Sequence, residues 1–246
     1  MKVSIITIAY NSQNSIPDTI DSVLSQTYPD IEYIVVDGKS KDMTVDIVKS
    51  YGDKVHKFIS EPDKGIYDAL NKGVALATGD VVGFLHSDDI FGSNDIIEKV
   101  VALFQEKKTD SIYGDLQYVY KNDTSRVFRY WEAGGYSLRK LKMGWMPPHP
   151  TFYVKKSAYE AYGTFNTSFK IAADYDNMLR LLGKHKITTA YLPVVMVKMR
   201  VGGASNRSIK NIIRKSSEDM HAIRVNRFGN VFTLIFKNLR KLGQFF

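Results

Sequence analysis

The sequence predicts an α/β protein with a mostly parallel sheet covered by helices on both faces. Three observations carry this prediction. Near-continuous β-branched apolar runs recur through roughly the first hundred residues, with helix-length amphipathic stretches between them. Three of those runs end in polar or acidic residues. After about residue 110 the pattern changes to short strands with polar turns, which reads as a mixed or antiparallel extension.

Each element has a local reason. Val3–Ala9 is a β-branched apolar run and forms the first strand. Asn14-Ser15-Ile16-Pro17-Asp18 is a polar cap with proline in the first turn, and Ile16, Ile20, Val23, Leu24 and Thr27 follow at helical spacing. Ile31–Val36 is the second strand, and Ser40–Tyr51 reads as a helix stopped by Gly52. Val55–Ser60 is a weaker third strand, Asp63–Ala77 a helix, and Val81–Leu85 a fully apolar fourth strand. Ser93 caps a helix with Ile96, Ile97, Val100, Val101 and Phe104 on one face.

In the second half, Ser111–Tyr113, Leu116–Tyr120 and Arg126–Tyr130 look like short strands. Met146-Pro147-Pro148-His149-Pro150 is extended, because three prolines forbid helix. Lys156–Tyr162 and Ala173–Leu182 are helical, and Tyr191–Val201 holds strand-like pieces. From Ser208 the chain is helical and basic, with one break at Gly229.

Composition narrows the class. With 246 residues, 44% hydrophobic and 24% charged, the chain matches globular averages, so disorder, collagen and coiled coil are poor fits. Absence of cysteine excludes disulfides, thiolate metal sites and cysteine nucleophiles, and fits a reducing compartment. No uncharged apolar run reaches the roughly 18 residues of a membrane span. The apolar start is too short for a signal peptide and runs into Asn11-Ser12-Gln13-Asn14 without a small-residue cleavage site. The expected location is cytoplasmic.

In open α/β sheets ligands bind beyond the carboxyl ends of the strands. Those ends are Tyr10-Asn11, Asp37-Gly38-Lys39-Ser40-Lys41-Asp42 and His86-Ser87-Asp88-Asp89. Paired aspartates repel and need a cation or hydrogen-bond donors nearby. A Mg²⁺ or Mn²⁺ ion shared with a nucleotide diphosphate meets that need, and a helix cap or turn at Asp89 is the alternative. Gly38-Lys39-Ser40 is not a P-loop ending, because the leading glycine position holds Tyr33. No G-x-G or G-x-S-x-G occurs, and the five histidines are dispersed along the chain, against a zinc site.

Several segments together resemble family 2 glycosyltransferases. They are Val35–Thr44, Ser60–Gly73, Ala77–Asp80 and Phe84–Asp89, where the family carries its D-x-D motif. A second stretch, His149 to Ser205, is also similar to the family through Gly163–Phe165, Ala173-Asp174-Tyr175-Asp176 with Arg180, and Gly202-Gly203-Ala204-Ser205. Any one motif is weak; their shared order over about 200 residues is specific.

The resemblance implies a GT-A-type, Rossmann-like fold over residues 1–205, with 1–110 the nucleotide-sugar half and 111–205 the acceptor half. It also implies inverting transfer of a sugar from a nucleotide-diphosphate donor, a UDP-sugar favoured, to a hydroxyl of a glycan or lipid-linked acceptor. By that similarity Ala9, Tyr10, Asn11, Asp37, Asp63, Lys64 and Gly65 bind the donor, together with His86, Ser87 and Asp88. Asp88, with Asp89 beside it, is the expected ligand of a divalent cation, Mn²⁺ or Mg²⁺. Asp174 matches the catalytic base, and its motif context favours that role over a helix N-cap. His149 and Trp145 are the acceptor-side candidates, a structural turn being the alternative for His149. Tryptophan faces stack on sugars, although core packing is their commoner fate.

The sequence departs from the family pattern twice. His86 replaces the first aspartate of D-x-D, which leaves the cation to Asp88, Asp89 and the phosphates; an imidazole ligand would favour Mn²⁺, and a hydrogen bond to ribose or backbone is the favoured alternative for His86. Ala173 replaces the acidic residue often found before the base. Lys64, His86 and Arg200 or Arg207 are candidate cations for the departing diphosphate, with solvated surface charge the alternative for the arginines.

Three other functions compete. A nucleotidylyltransferase needs a glycine-rich loop after the first strand, and Thr7–Ser12 has no glycine. A nucleic-acid binder fits the net charge but not the acidic strand ends. A nucleotide-sugar-binding protein of weak activity fits His86.

The formal +8 is concentrated at one end. Residues 206–246 hold nine Lys and Arg against Glu218 and Asp219, which accounts for +7. Val231, Phe232, Leu234, Ile235, Phe236, Leu239, Leu242, Phe245 and Phe246 lie among these cations. A basic amphipathic segment of this kind suits peripheral docking on an anionic membrane face. Packing on the catalytic domain or on a dimer partner suits it equally.

Overall fold

The computed structural model describes residues 1–201 and 209–242, side chains in the second stretch being described for 213–240. Gly202–Ser205, Arg207, Phe245 and Phe246 lie outside the described residues.

The first half alternates as expected. It runs β1 (Val3–Ala9), α1 (Ile16–Leu24), β2 (Ile31–Asp37), α2 (Thr44–Ser50), β3 (Lys57–Ser60), α3 (Ile66–Leu76) and β4 (Val81–Phe84). There follow β5 (Asp89–Phe91), α4 (Ile96–Lys107), β6 (Ser111–Tyr120), β7 (Asp123–Trp131) and α5 (Leu138–Lys142). The chain continues through β8 (Tyr153–Lys155), α6 (Lys156–Tyr162), α7 (Ala173–Met178), β9 (Thr189–Arg200), α8 (Ile209–Val225) and α9 (Val231–Leu242).

One sheet contains all nine strands found among the described residues. Strands β3, β2, β1 and β4 are mutually parallel neighbours in that order. Beyond β4 the sheet is mixed. β8 is antiparallel to β4 and β6 antiparallel to β8, β9 lies parallel to β6, and β5 closes the edge antiparallel to β9. β7 folds back on β6 as a hairpin.

Alternation along the strands builds two apolar layers. Ile6, Ile8, Ile34 and Val36 face α3 and α7, whereas Val3, Ile5, Tyr33 and Val35 face α1 and α4. The sheet is therefore covered on both faces, as its near-continuous apolar strands require.

Several expected boundaries shift, each for a local reason. Residues 40–43 are not helical: the Asn11 Oδ1 accepts from Lys41 N–H at 2.9 Å and the Asp42 Oδ1 from Thr44 N–H at 3.0 Å, so these groups serve a turn. Helix α3 starts at Ile66 rather than Asp63, because Gly65 sits at φ 121°. The two expected strands over 111–120 are one, crossed by Gly114; a Cβ there would lie 2.7 Å from the Leu192 carbonyl oxygen. After Met178 the helix continues to Lys184 as a wider, π-type turn.

The C-terminal helices pack on the body. α8 contacts α7, and the Thr233 hydroxyl on α9 donates to the Lys142 carbonyl at 2.7 Å. The backbone of Lys237 passes so close to Gly144 that a Cβ there would lie 2.5 Å from its nitrogen. No helix among the described residues is long and apolar enough to cross a membrane.

Candidate active site

The carboxyl ends of β1, β2, β3 and β4 lie side by side, which brings the expected donor residues together. Ala9 and Asp37 are buried at the ends of β1 and β2 and form the floor. Asp37 is fully enclosed. Its carboxylate accepts from Ser40 N–H at 2.9 Å, from the Ser40 hydroxyl and from the Ser60 hydroxyl at 2.6 Å. It therefore holds the β2 and β3 ends in register and offers no free oxygen outward.

The opening lies above that floor. A Cβ on Gly38 would meet Asp63 Oδ2 at 2.5 Å and the Tyr10 ring at 3.4 Å. Glycine thus allows a carboxylate and an exposed aromatic ring to close over the same backbone. Asp63 is steadied by Gly65 N–H at 2.9 Å. Asn11 adopts φ 49° and its N–H donates to the Ser40 hydroxyl at 2.8 Å. Ser12 and Ser87 hydroxyls bond at 2.8 Å and join the β1 loop to the β4 loop. Lys64 and Gly65 stand exposed at the rim.

The turn after β4 separates its two aspartates. Asp88 is half-buried, and its carbonyl is held by the Arg200 guanidinium at 2.9 Å. Arg200 is buried, pairs with Asp18 at 2.5 Å and donates to the Lys121 carbonyl. It braces this turn and is not the solvated surface charge that was its alternative.

Asp89 enters β5 and is buried, and neither carboxylate oxygen has a partner in good hydrogen-bond geometry. Burial, reinforced by the charge of Asp88, pushes its carboxyl well above the usual range. Asp89 therefore lies inside the sheet, behind Asp88, rather than at the strand end.

Across the opening lie two imidazoles and the expected base. His86 and His149 have ring centroids 5.9 Å apart, and the His86 Nδ1 and His149 Nε2 are shut off from solvent without partners. Burial holds the His86 imidazole below its ordinary range, against the pull of Asp88 and Asp174. Burial likewise lowers His149 to about 4, opposed by Asp174 and assisted by repulsion from His86. Burial thus favours the neutral form of both rings.

The sign of the His149 effect follows. Its folded value lies below the unfolded value of about 6.5, so the stability it contributes above that pH is lost as pH falls toward 4. Denaturant unfolding at several pH values should show the parent losing on the order of 2 kcal/mol relative to His149→Gln across this window. Parallel curves for the two proteins would remove the account.

Asp174 begins the first turn of α7, half-buried. Its Oδ1 accepts from Tyr175 N–H at 2.8 Å, with the Tyr67 hydroxyl at 3.5 Å. Tyr67 itself donates to the Ile171 carbonyl at 2.6 Å. Tyr67, Glu218 and Lys237 surround this base; Tyr67 falls in the Ser60–Gly73 segment, whereas Glu218 and Lys237 had no motif to mark them and their distance in sequence hid them.

Trp145 does not reach this site. It is buried, its indole N–H donates to the Ala133 carbonyl at 2.8 Å, and its ring packs edge-on to Tyr113 at 5.4 Å. Core packing takes the face that an acceptor sugar would need. His149 does reach the site, seated against Phe84, Phe165 and His86.

No group of three or more His, Asp or Glu among the described residues is arranged to hold a metal ion. Asp88 remains as the one carboxylate of the turn open to a cation. That donor set suits an ion taking its other oxygens from phosphates and water.

Comparison with known proteins gives the family and the fold. A model of the glycosyl transferase family 2 matches residues 4–163. A PGL/p-HBAD biosynthesis glycosyltransferase of Mycobacterium bovis is 31% identical over 208 residues, 82% of this chain and 78% of its own length. The crystal structure of S. aureus TarS 1-349 in complex with UDP-GlcNAc superposes with a TM-score of 0.72 at 19% identity, covering 92% of this chain and 65% of that one. A mannosyltransferase from Pyrobaculum calidifontis in complex with GDP-Man and Mn²⁺ superposes with a TM-score of 0.62 at 16% identity, covering 98% of this chain and 74% of that one. The two solved structures establish a shared fold.

Proposed function

Since the chain belongs to glycosyl transferase family 2 and is a glycosyltransferase, we propose that it moves a sugar, with inversion, from a nucleotide-diphosphate donor to a hydroxyl of a glycan or lipid-linked acceptor. The observation that carries this reading is the gathering of Asp63, Tyr10 and Asp88 at the carboxyl ends of one sheet, with Asp174 in electrostatic reach of the adjoining imidazoles. The first three line adjoining strand ends, and the charge of Asp174 is felt by His86 and His149 across from them. The TarS neighbour binds UDP-GlcNAc, which supports a UDP-sugar as the donor class.

In this reading the nucleoside lies on Tyr10, between Asn11 and Asp63, with the Asp37 floor keeping the loops in register. Asp88 is the residue that would hold a divalent cation, Mn²⁺ or Mg²⁺, and the ion supplies positive charge to the leaving diphosphate. The Mn²⁺ in the Pyrobaculum mannosyltransferase supports that assignment. Asp174 takes the proton of the acceptor hydroxyl as it attacks the anomeric carbon, from the face opposite the departing phosphate. His149 lines the acceptor side as a neutral ring.

Nucleotide release tests the proposal. Incubation with UDP-, GDP- and dTDP-sugars plus Mn²⁺ should release UDP fastest in the presence of acceptor glycan. Asp88→Ala should raise the donor KM about tenfold with Mn²⁺ present, the scale of one lost charged contact. Parent rates that do not change on adding EDTA would sink the cation, and no release from any donor would sink transfer itself.

The C-terminal segment supports a peripheral membrane role on one face only. α9 buries Thr233 and Lys237 against the body, while Val231, Phe232, Ile235, Phe236 and Leu239 stay exposed, Phe232 at 61%. Exposed Arg224, Arg227 and Arg240 accompany this stripe, and cations near an anionic surface contribute about 1 kcal/mol each. Phe232→Glu with Phe236→Glu should abolish co-sedimentation with vesicles containing phosphatidylglycerol; equal pelleting of parent and variant would defeat the docking role. Point changes on this face are the better test, because deleting residues 206–246 would also remove groups packed on α7.

A further inference from the structure

The segment entering α7 is irregular, and its backbone N–H groups need partners. They converge on one oxygen of a distant side chain. Glu218 Oε2, on α8, accepts from Lys170 N–H at 3.0 Å, Ile171 N–H at 2.8 Å and Ala172 N–H at 3.1 Å. Bonds from backbone donors to a charged acceptor are among the stronger hydrogen bonds in proteins. Asp174 stands two residues beyond this clamp.

The other contacts of the same segment lead to Asp174 as well. The Ile171 carbonyl is held by the Tyr67 hydroxyl, which also stands 3.5 Å from Asp174 Oδ1. The Asn226 side chain, just past the end of α8, donates to Asp176 Oδ1 at 2.8 Å, fixing the far side of the same turn. Lys237 bonds to Asp219 at 2.6 Å beside Glu218 and lies 3.3 Å from the centre of the Tyr175 ring. Glu218 on α8, Asn226 just beyond it and Lys237 on α9 therefore grip α7 or its entry.

We infer that Glu218 is a positioning residue for Asp174: by gathering the N–H groups of residues 170–172 it sets the entry angle of α7 and so the direction of the base. Glu218 touches neither donor nor acceptor and acts through the backbone. The inference rests on the reading of Asp174 as the base.

The test uses the full chain with Glu218→Ala and Glu218→Gln, measuring kcat, donor KM, UDP affinity and thermal melting. Glu218→Ala should lower kcat on the order of 10²-fold, the scale of a base misplaced by about 1 Å. Donor KM and UDP affinity should stay within about twofold of the parent. Glu218→Gln keeps an acceptor oxygen, guards against a fold lost in the alanine variant, and should recover about tenfold of that loss.

A kcat within twofold of the parent in Glu218→Ala overturns the inference. So does a loss shared equally by UDP affinity, which would mean general damage to the fold. Near-parent turnover in Asp174→Asn would overturn the base assignment instead. Near-parent turnover in Glu218→Ala beside an inactive Asp174→Asn overturns the positioning role alone.

Discussion

Asp174→Asn is expected to lower transfer about 10³-fold while UDP affinity stays within about twofold, the loss typical of removing a general base. The substitution is nearly isosteric. An asparagine Oδ1 still accepts from Tyr175 N–H, so the start of α7 keeps its geometry. What disappears is the ability to take a proton. Single-turnover transfer at saturating donor isolates that step from binding and product release. Turnover near the parent rate would remove Asp174 as the base and direct attention to His149 and His86, the imidazoles beside it.

Lys237→Ala is expected to destabilise the fold by about 3–5 kcal/mol, the cost of leaving one partner of a buried ion pair alone. Lys237 and Asp219 are 3% and 1% exposed, with Nζ and Oδ1 2.6 Å apart. Burial pushes the Lys237 ammonium below its ordinary pKa, opposed chiefly by Asp219. Without the lysine, the Asp219 carboxylate stays enclosed and uncompensated, and the cation over Tyr175 is lost as well. For a chain of this size the melting temperature should fall on the order of 10 °C. The double variant Lys237→Met with Asp219→Leu should recover most of the loss, because an apolar pair of similar volume carries no desolvation cost. A Lys237→Ala melt within about 2 °C of the parent would show that water reaches this pair.

The strands legible in the sequence were those that carry their own pattern. β1, β2 and β4 are apolar on both faces, and that run of residues is enough to place them inside a parallel sheet. β5 and β8 each have three residues, too few to show any period, and α5 has five. These exist because β9 and β4 supply ladder partners and because Ser137 caps α5 through its hydroxyl. The aspartate pair after β4 shows the same limit within one site. Asp88 and Asp89 are adjacent in sequence, yet one stays at the opening and the other turns into the sheet.

The C-terminal segment divides along similar lines. Its amphipathic period was readable, and the alternatives of membrane docking and packing stood level. The fold assigns the packed face to the body: Lys237 and Thr233 bury, while Phe232 and Leu239 stay exposed.

By itself the sequence determined the doubly covered parallel half, the strand ends that gather Tyr10, Asp37, Asp63 and Asp88, and the motif that marks Asp174. Periodicity and turn chemistry act over a few neighbouring residues, so they can be read along the chain. Only the tertiary structure decided that Trp145 and Asp89 turn inward, that Arg200 braces the Asp88 turn, and that Glu218 and Lys237 surround the base. These outcomes depend on burial and on hydrogen bonds between residues far apart in sequence, Glu218 and Ile171 being 47 apart and Arg200 and Asp88 112 apart. Which buried charge meets which partner is set by helix packing in three dimensions, where a lone buried charge costs several kcal/mol and a matched one does not.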